Sequence, residues 1–112
     1  MSTQLASRSC EPCTGSTPPV TGEELERLSA ELSSRWHVED EHHLIADFEF
    51  DDFVGALDFT NRVGAVAEEE GHHPEIRLTW GRASVKIWTH AIDALSESDF
   101  ILAAKIDEIA ST

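Results

Sequence analysis

Positive charge is scarce in this chain of 112 residues. Its 8 lysines and arginines stand against 22 aspartates and glutamates, a formal net charge of -14. Phosphate backbones are bound by cationic surfaces, so this balance argues against direct nucleic-acid binding; only a partner protein would bring the chain to DNA. Long hydrophobic runs are also missing. No stretch approaches the roughly 20 apolar residues that a membrane-spanning helix needs, and the N-terminus lacks the apolar core of a signal peptide. The expected location is therefore the cytoplasm, with no membrane partner. Cysteine is limited to Cys10 and Cys13. This single Cys-x-x-Cys has no preceding strand and no second ligand pair, so a reduced, mobile thiol pair is expected rather than a redox or zinc site. There is no internal repeat.

What remains is one small domain's worth of chain. Residues 1–19 are rich in Ser, Thr, Pro and Gly without periodicity and read as a flexible N-terminal tail ahead of a domain over 20–112. Thr21 and Glu24 are spaced as a capping box, and Val20 and Leu25 as a hydrophobic staple. Leu25, Leu28 and Leu32 then predict a helix over about 22–34. From Trp36 to Phe50 the chain reads as two extended segments broken near Glu39-Asp40-Glu41. In the second, Leu44, Ala46, Phe48 and Phe50 alternate with Ile45, Asp47 and Glu49. Asp51 or Asp52 caps a second helix with a stripe of Phe53, Ala56, Leu57, Thr60, Val63, Val66 and Ala67.

Gly71 suits the end of that helix, and Pro74 discourages its resumption. Ile76, Leu78 and Trp80 alternate along a third strand. A turn at Gly81-Arg82 leads to a fourth strand with Val85, Ile87 and Thr89 on one face, and Ser84, Lys86, Trp88 and His90 on the other. Ser96 and Asp99 form a second capping box before a helix striped by Leu102, Ala103, Ile106, Ile109 and Ala110. The fold class is thus α+β: two layers, a four-stranded antiparallel sheet with three helices on one face, in the order α-β-β-α-β-β-α. Its sheet edges predict a homodimer or homotetramer.

The stretch Glu68-Glu69-Glu70-Gly71-His72-His73-Pro74 concentrates titratable groups on a short, stiff connection. Histidine's proton affinity suits it to acid–base work near neutrality, and His90 lies on an accessible face as a third member. A polar loop pair making hydrogen bonds is the plainer alternative. Zinc is disfavoured because adjacent histidines diverge and the usual ligand spacing is absent. The other pair, His42-His43, reads as solvated and without chemistry, and Glu69 and Glu70 as solvent-facing charge.

Glu68, three residues, His72-His73-Pro74, five residues, Trp80, nine residues, His90, eight residues and Asp99 together resemble the signature of the pterin-4a-carbinolamine dehydratases. The similarity runs from Trp36 through Thr89-His90 and Leu95-Ser96-Glu97-Ser98-Asp99 to the end of the last helix. One departure is Arg35, where the family usually has Gly before the first Trp. The resemblance implies dehydration of 4a-hydroxytetrahydropterin to quinonoid dihydropterin plus water, the step after an aromatic amino-acid hydroxylase. The pterin is the substrate and no cofactor or metal is implied. His72, His73 and His90 would be the catalytic histidines, with His73 as acid toward the hydroxyl and His72 or His90 as base. Glu68 would orient one of them and Asp99 add polar support, with Trp36, Trp88 and Pro74 as substrate contacts. The alternative is a noncatalytic assembly or dimerisation module on the same scaffold.

Overall fold

The computed structural model describes residues 5–11 and 14–111; Cys13 and the first four residues lie outside them. Helix α1 (Gly22–Ser29) is followed by strands β1 (His37–Glu39) and β2 (His43–Glu49). Then come α2 (Phe53–Glu70), β3 (Glu75–Thr79), β4 (Arg82–Ile87) and α3 (Glu97–Ala110). The four strands form one antiparallel sheet in the order β1-β2-β4-β3. The α+β class and the element order are those expected from the sequence.

Register explains the layering. Ala46 pairs with Val85 and Val85 with Ile76, while Phe48 pairs with Ala83 and Ala83 with Leu78. One sheet face is therefore apolar through all three long strands, and the helices cover it. The opposite face carries Asp47, Arg77, Ser84 and Lys86, with the Ser84 hydroxyl donating to Asp47 at 2.6 Å. Polar side chains there explain why no second helical layer is needed.

Three local expectations are corrected. Helix α1 stops at Ser29 rather than Ser34, because Asp107 of α3 draws the following segment away. Its carboxylate accepts from the Ser33 backbone N–H, the Ser33 hydroxyl and Trp36 Nε1, each at 2.9 Å. The Thr21 side chain makes no capping bond, so the first capping box does not form. In α2, Asp52 is the cap and accepts from Gly55 N, but the buried stripe is Ala56, Phe59, Val63 and Ala67. Phe59 packs on Phe48 and Phe50 with ring centroids 4.6 and 5.2 Å away. The helix is rotated accordingly, leaving Phe53 and Leu57 exposed.

The expected tail is corrected more deeply. Leu5 and Ala6, in a short 3-10 turn (Leu5–Ser7), are buried against α3 and belong to the hydrophobic core. Lys105 Nζ donates to the Ala6 carbonyl. Helix α3 is consequently covered on two sides, which is why Ser98–Ala104 is buried throughout, well beyond the stripe expected of a surface helix. Cys10 is not mobile either. Its backbone N–H donates to Glu70 Oε1 at 2.7 Å, and its thiol donates to the Ser98 carbonyl. Burial, then the charge of Glu70, push the thiol up to about 12, so it stays protonated and unreactive. Glu70 itself is largely buried and lies near Lys105 rather than facing solvent.

Candidate active site

Gly71 ends α2 in a left-handed conformation (φ 66°), with its N–H bonded to the Ala67 carbonyl. A left-handed residue suits glycine, and it swings the chain out of the helix at His72. His72 faces inward and is buried, 8 % exposed; His73 faces out. Two adjacent imidazoles thus emerge on different sides of one turn, followed by Pro74 at the entry to β3.

Asp99 is the organising group. It is 0 % exposed and accepts from three donors: His72 Nε2 at 2.5 Å on one oxygen, and the Thr89 hydroxyl and Ser96 backbone N–H, both at 2.8 Å, on the other. Since Thr89 gives its one hydroxyl proton to Asp99, Ser96 Oγ donates to Thr89 Oγ1 across their 2.6 Å contact. A buried carboxylate with three directed donors is well compensated, and its acceptor-only character places the His72 proton on Nε2. Ser96 and Asp99 also close the capping box of α3 as expected, so one carboxylate both starts the helix and holds the histidine.

Through Thr89 the same carboxylate reaches the next segment. Thr89 and Ala94 form an isolated bridge that pinches off residues 90–93, a 3-10 turn (His90–Ile92) ending at the left-handed Asp93. His90 is exposed at the start of this loop, beyond the end of β4 rather than on the strand. Its ring stands 4.4 Å from Trp88, centroid to centroid, with 52° between planes. Asp99 therefore brings the segments bearing His72-His73 and His90 to a common anchor. His73 Nε2 lies 3.4 Å from Glu68 Oε2, both side chains well exposed, a loose contact that favours an orientation without enforcing it.

The remaining sequence candidates divide. Trp88 is half-buried beside His90, with Lys86 Nζ 5.1 Å from its ring centroid. Trp36 is corrected: it is buried in the core, edge-on to Phe48, and its indole N–H is tied to Asp107. Asp107 lies about 12 Å along α3 from the Asp99 anchor at 1.5 Å per residue, so Trp36 holds the fold rather than a ligand. Sequence reasoning missed Thr89 as a site residue, because at period 2 it looked like one more inward member of the Val85–Ile87 stripe. The Thr-His dipeptide at Thr89-His90 was its signal. It also misjudged His42-His43, which are not simply solvated: His43 is buried and His42 half-buried, both rings against Trp88.

Fold and site together define a small two-layer α+β scaffold in which one buried carboxylate binds both His72 and Thr89, the residue before His90. Residues 18–109 match the family model described as "Pterin 4 alpha carbinolamine dehydratase". A protein of Rubrobacter xylanophilus named "Putative pterin-4-alpha-carbinolamine dehydratase" is 55% identical over 106 residues, spanning 95% of this chain and 98% of its own. One of the same name from Rickettsia canadensis is 48% identical over 105 residues, 94% of this chain and 96% of its own. The chain belongs to the pterin-4-alpha-carbinolamine dehydratase family. Among solved structures, the transcriptional coactivator/pterin dehydratase of Brucella melitensis superposes with a TM-score of 0.77 at 29% identity, covering 83% of this chain and 99% of that one. A pterin dehydratase-like protein described as a RuBisCO assembly factor in the alpha-carboxysome shares the fold at 22% identity and a TM-score of 0.59, over 69% and 90% of the two chains.

Proposed function

We propose that this chain dehydrates 4a-hydroxytetrahydropterins to quinonoid dihydropterin and water, in the cytoplasm, following an aromatic amino-acid hydroxylase. The observation that supports the reading is the Asp99 anchor, which bonds both His72 and Thr89, the residue before His90. The reaction breaks the C4a–O bond as the hydroxyl takes up a proton, and removes the proton of the adjacent ring nitrogen N5. Two proton transfers complete it, so imidazoles suffice and no cofactor is required. His73, exposed and beside Glu68, is the acid toward the departing hydroxyl. His72, its Nε2–H held by Asp99, offers Nδ1 as base, with His90 sharing that side of the reaction. Trp88 and Pro74 border the site as contacts for the flat bicycle.

Synthetic carbinolamine pterin followed by stopped-flow absorbance tests this directly. His73→Ala is expected to slow dehydration at least about a hundredfold, the scale of a lost acid–base group. Unchanged turnover would count against the assignment.

The protein is further proposed to act as a homodimer or homotetramer. Strands β1 and β3 are open edges, and Phe53, Val54, Leu57 and Trp80 are exposed apolar side chains that an assembly would cover. Sedimentation at micromolar concentration should give a multiple of the 12.4 kDa chain mass. A monomer there removes the proposal.

A further inference from the structure

His42 and His43 belong to no step of the reaction above, yet they are joined into an unusual chain. His42 Nε2 lies 2.7 Å from Asp93 Oδ1, the two Nδ1 atoms are 3.1 Å apart, and His43 Nε2 lies 3.2 Å from Glu39 Oε2. The hairpin turn before them contains two left-handed non-glycine residues, Asp40 and Glu41. Asp93 closes the loop that begins with His90, its own N–H donating to the His90 carbonyl. Trp88 stands between the two groups, 5.7 Å from His42 and 4.4 Å from His90 by ring centroids.

We propose that His42 is a positioning residue for His90, acting through Asp93 and Trp88. The inference rests on the reading of His90 as part of the proton-transfer site. The loop of residues 90–93 is pinned at its base by the Thr89–Ala94 bridge and by the Thr89 hydroxyl on Asp99. Its far end is held by the bond from His42 Nε2–H to Asp93. His42 also flanks Trp88, the ring on which His90 rests, so loop tip and ring support are fixed by the same side chain.

The test compares wild type, His42→Ala and His42→Gln, whose amide N–H still reaches toward Asp93, normalised to folded protein. In His42→Ala, kcat should fall about ten- to hundredfold with KM within about twofold, the cost of a misplaced catalytic group. His42→Gln should recover most of it. A kcat per folded molecule equal to wild type in His42→Ala overturns the proposal. If wild type does not turn over carbinolamine pterin, the proposed function falls, and nitrogen-15 NMR of labelled histidines judges the positioning independently. A shifted His90 resonance in His42→Ala supports it. An unmoved His90 resonance overturns it.

Discussion

Asp99→Asn is expected to cut carbinolamine dehydration by about 10²- to 10⁴-fold while the protein stays folded, the scale seen when a buried carboxylate stops fixing a catalytic histidine's tautomer. The substitution is isosteric, but an amide has one oxygen and one NH₂. Thr89 and Ser96 N–H both donate to the same oxygen, so that position keeps the amide oxygen. The NH₂ then confronts His72 Nε2, which has to give up its proton and accept. His72 is driven into the other tautomer, with Nδ1 now protonated and unable to act as base. Stopped-flow turnover beside thermal unfolding separates the effects: a large loss of rate with nearly intact melting is the expected pattern. Asp99→Ala should instead destabilise by about 3–5 kcal/mol, because three buried donors lose their acceptor. Full activity in Asp99→Asn would dismiss the tautomer argument.

Leu5→Ala should lower the free energy of unfolding by about 2–4 kcal/mol, as for other fully buried leucines. Leu5 is 2 % exposed, packed with Ala6 against α3 inside the same core as Phe100 and Ile106. Were the segment loosely attached, the change would stay within about 0.5 kcal/mol, the range of surface substitutions. Urea denaturation distinguishes the two, since the midpoint moves only if the leucine is part of the cooperative unit. An unmoved midpoint would return this segment to the status of a tail.

The two substitutions also mark where the sequence was legible. Strand β2 and the caps of α2 and α3 were readable because their signals are local: period-2 alternation, Asp52 before a stripe, Gly71 after it, Ser96 three residues before Asp99. The N-terminal segment was not, because Leu5 and Ala6 are only two apolar residues among Ser, Thr and Pro, and their burial depends on a groove made by α3 about a hundred residues later. The rotation of α2 escaped for a similar reason. Phe53, Leu57 and Phe59 are all plausible at helical period, and only the aromatic rings of Phe48 and Phe50 select Phe59.

At the site, the histidine turn and Asp99 stood out as a spaced motif. The bond between them could not be inferred from spacing, because it joins residues 27 positions apart through the packing of α3 against α2. Trp36 shows the converse error. An aromatic near a motif looks like a stacking platform, yet Asp107 claims its indole N–H for the core. His42 and His43 were undervalued because their carboxylate partner Asp93 lies 51 positions away from His42, on a loop that sequence alone does not bring near.

The bond from Cys10 N–H to Glu70, the last residue of α2, has a practical side. Glu70 stands two residues before His72, so the N-terminal strand of chain is moored next to the turn that carries the reactive pair. An affinity handle or an immobilising linker fused ahead of Leu5 would tug on that mooring and, through it, on the turn that carries His72 and His73. Activity is best measured on protein whose N-terminal extension has been removed.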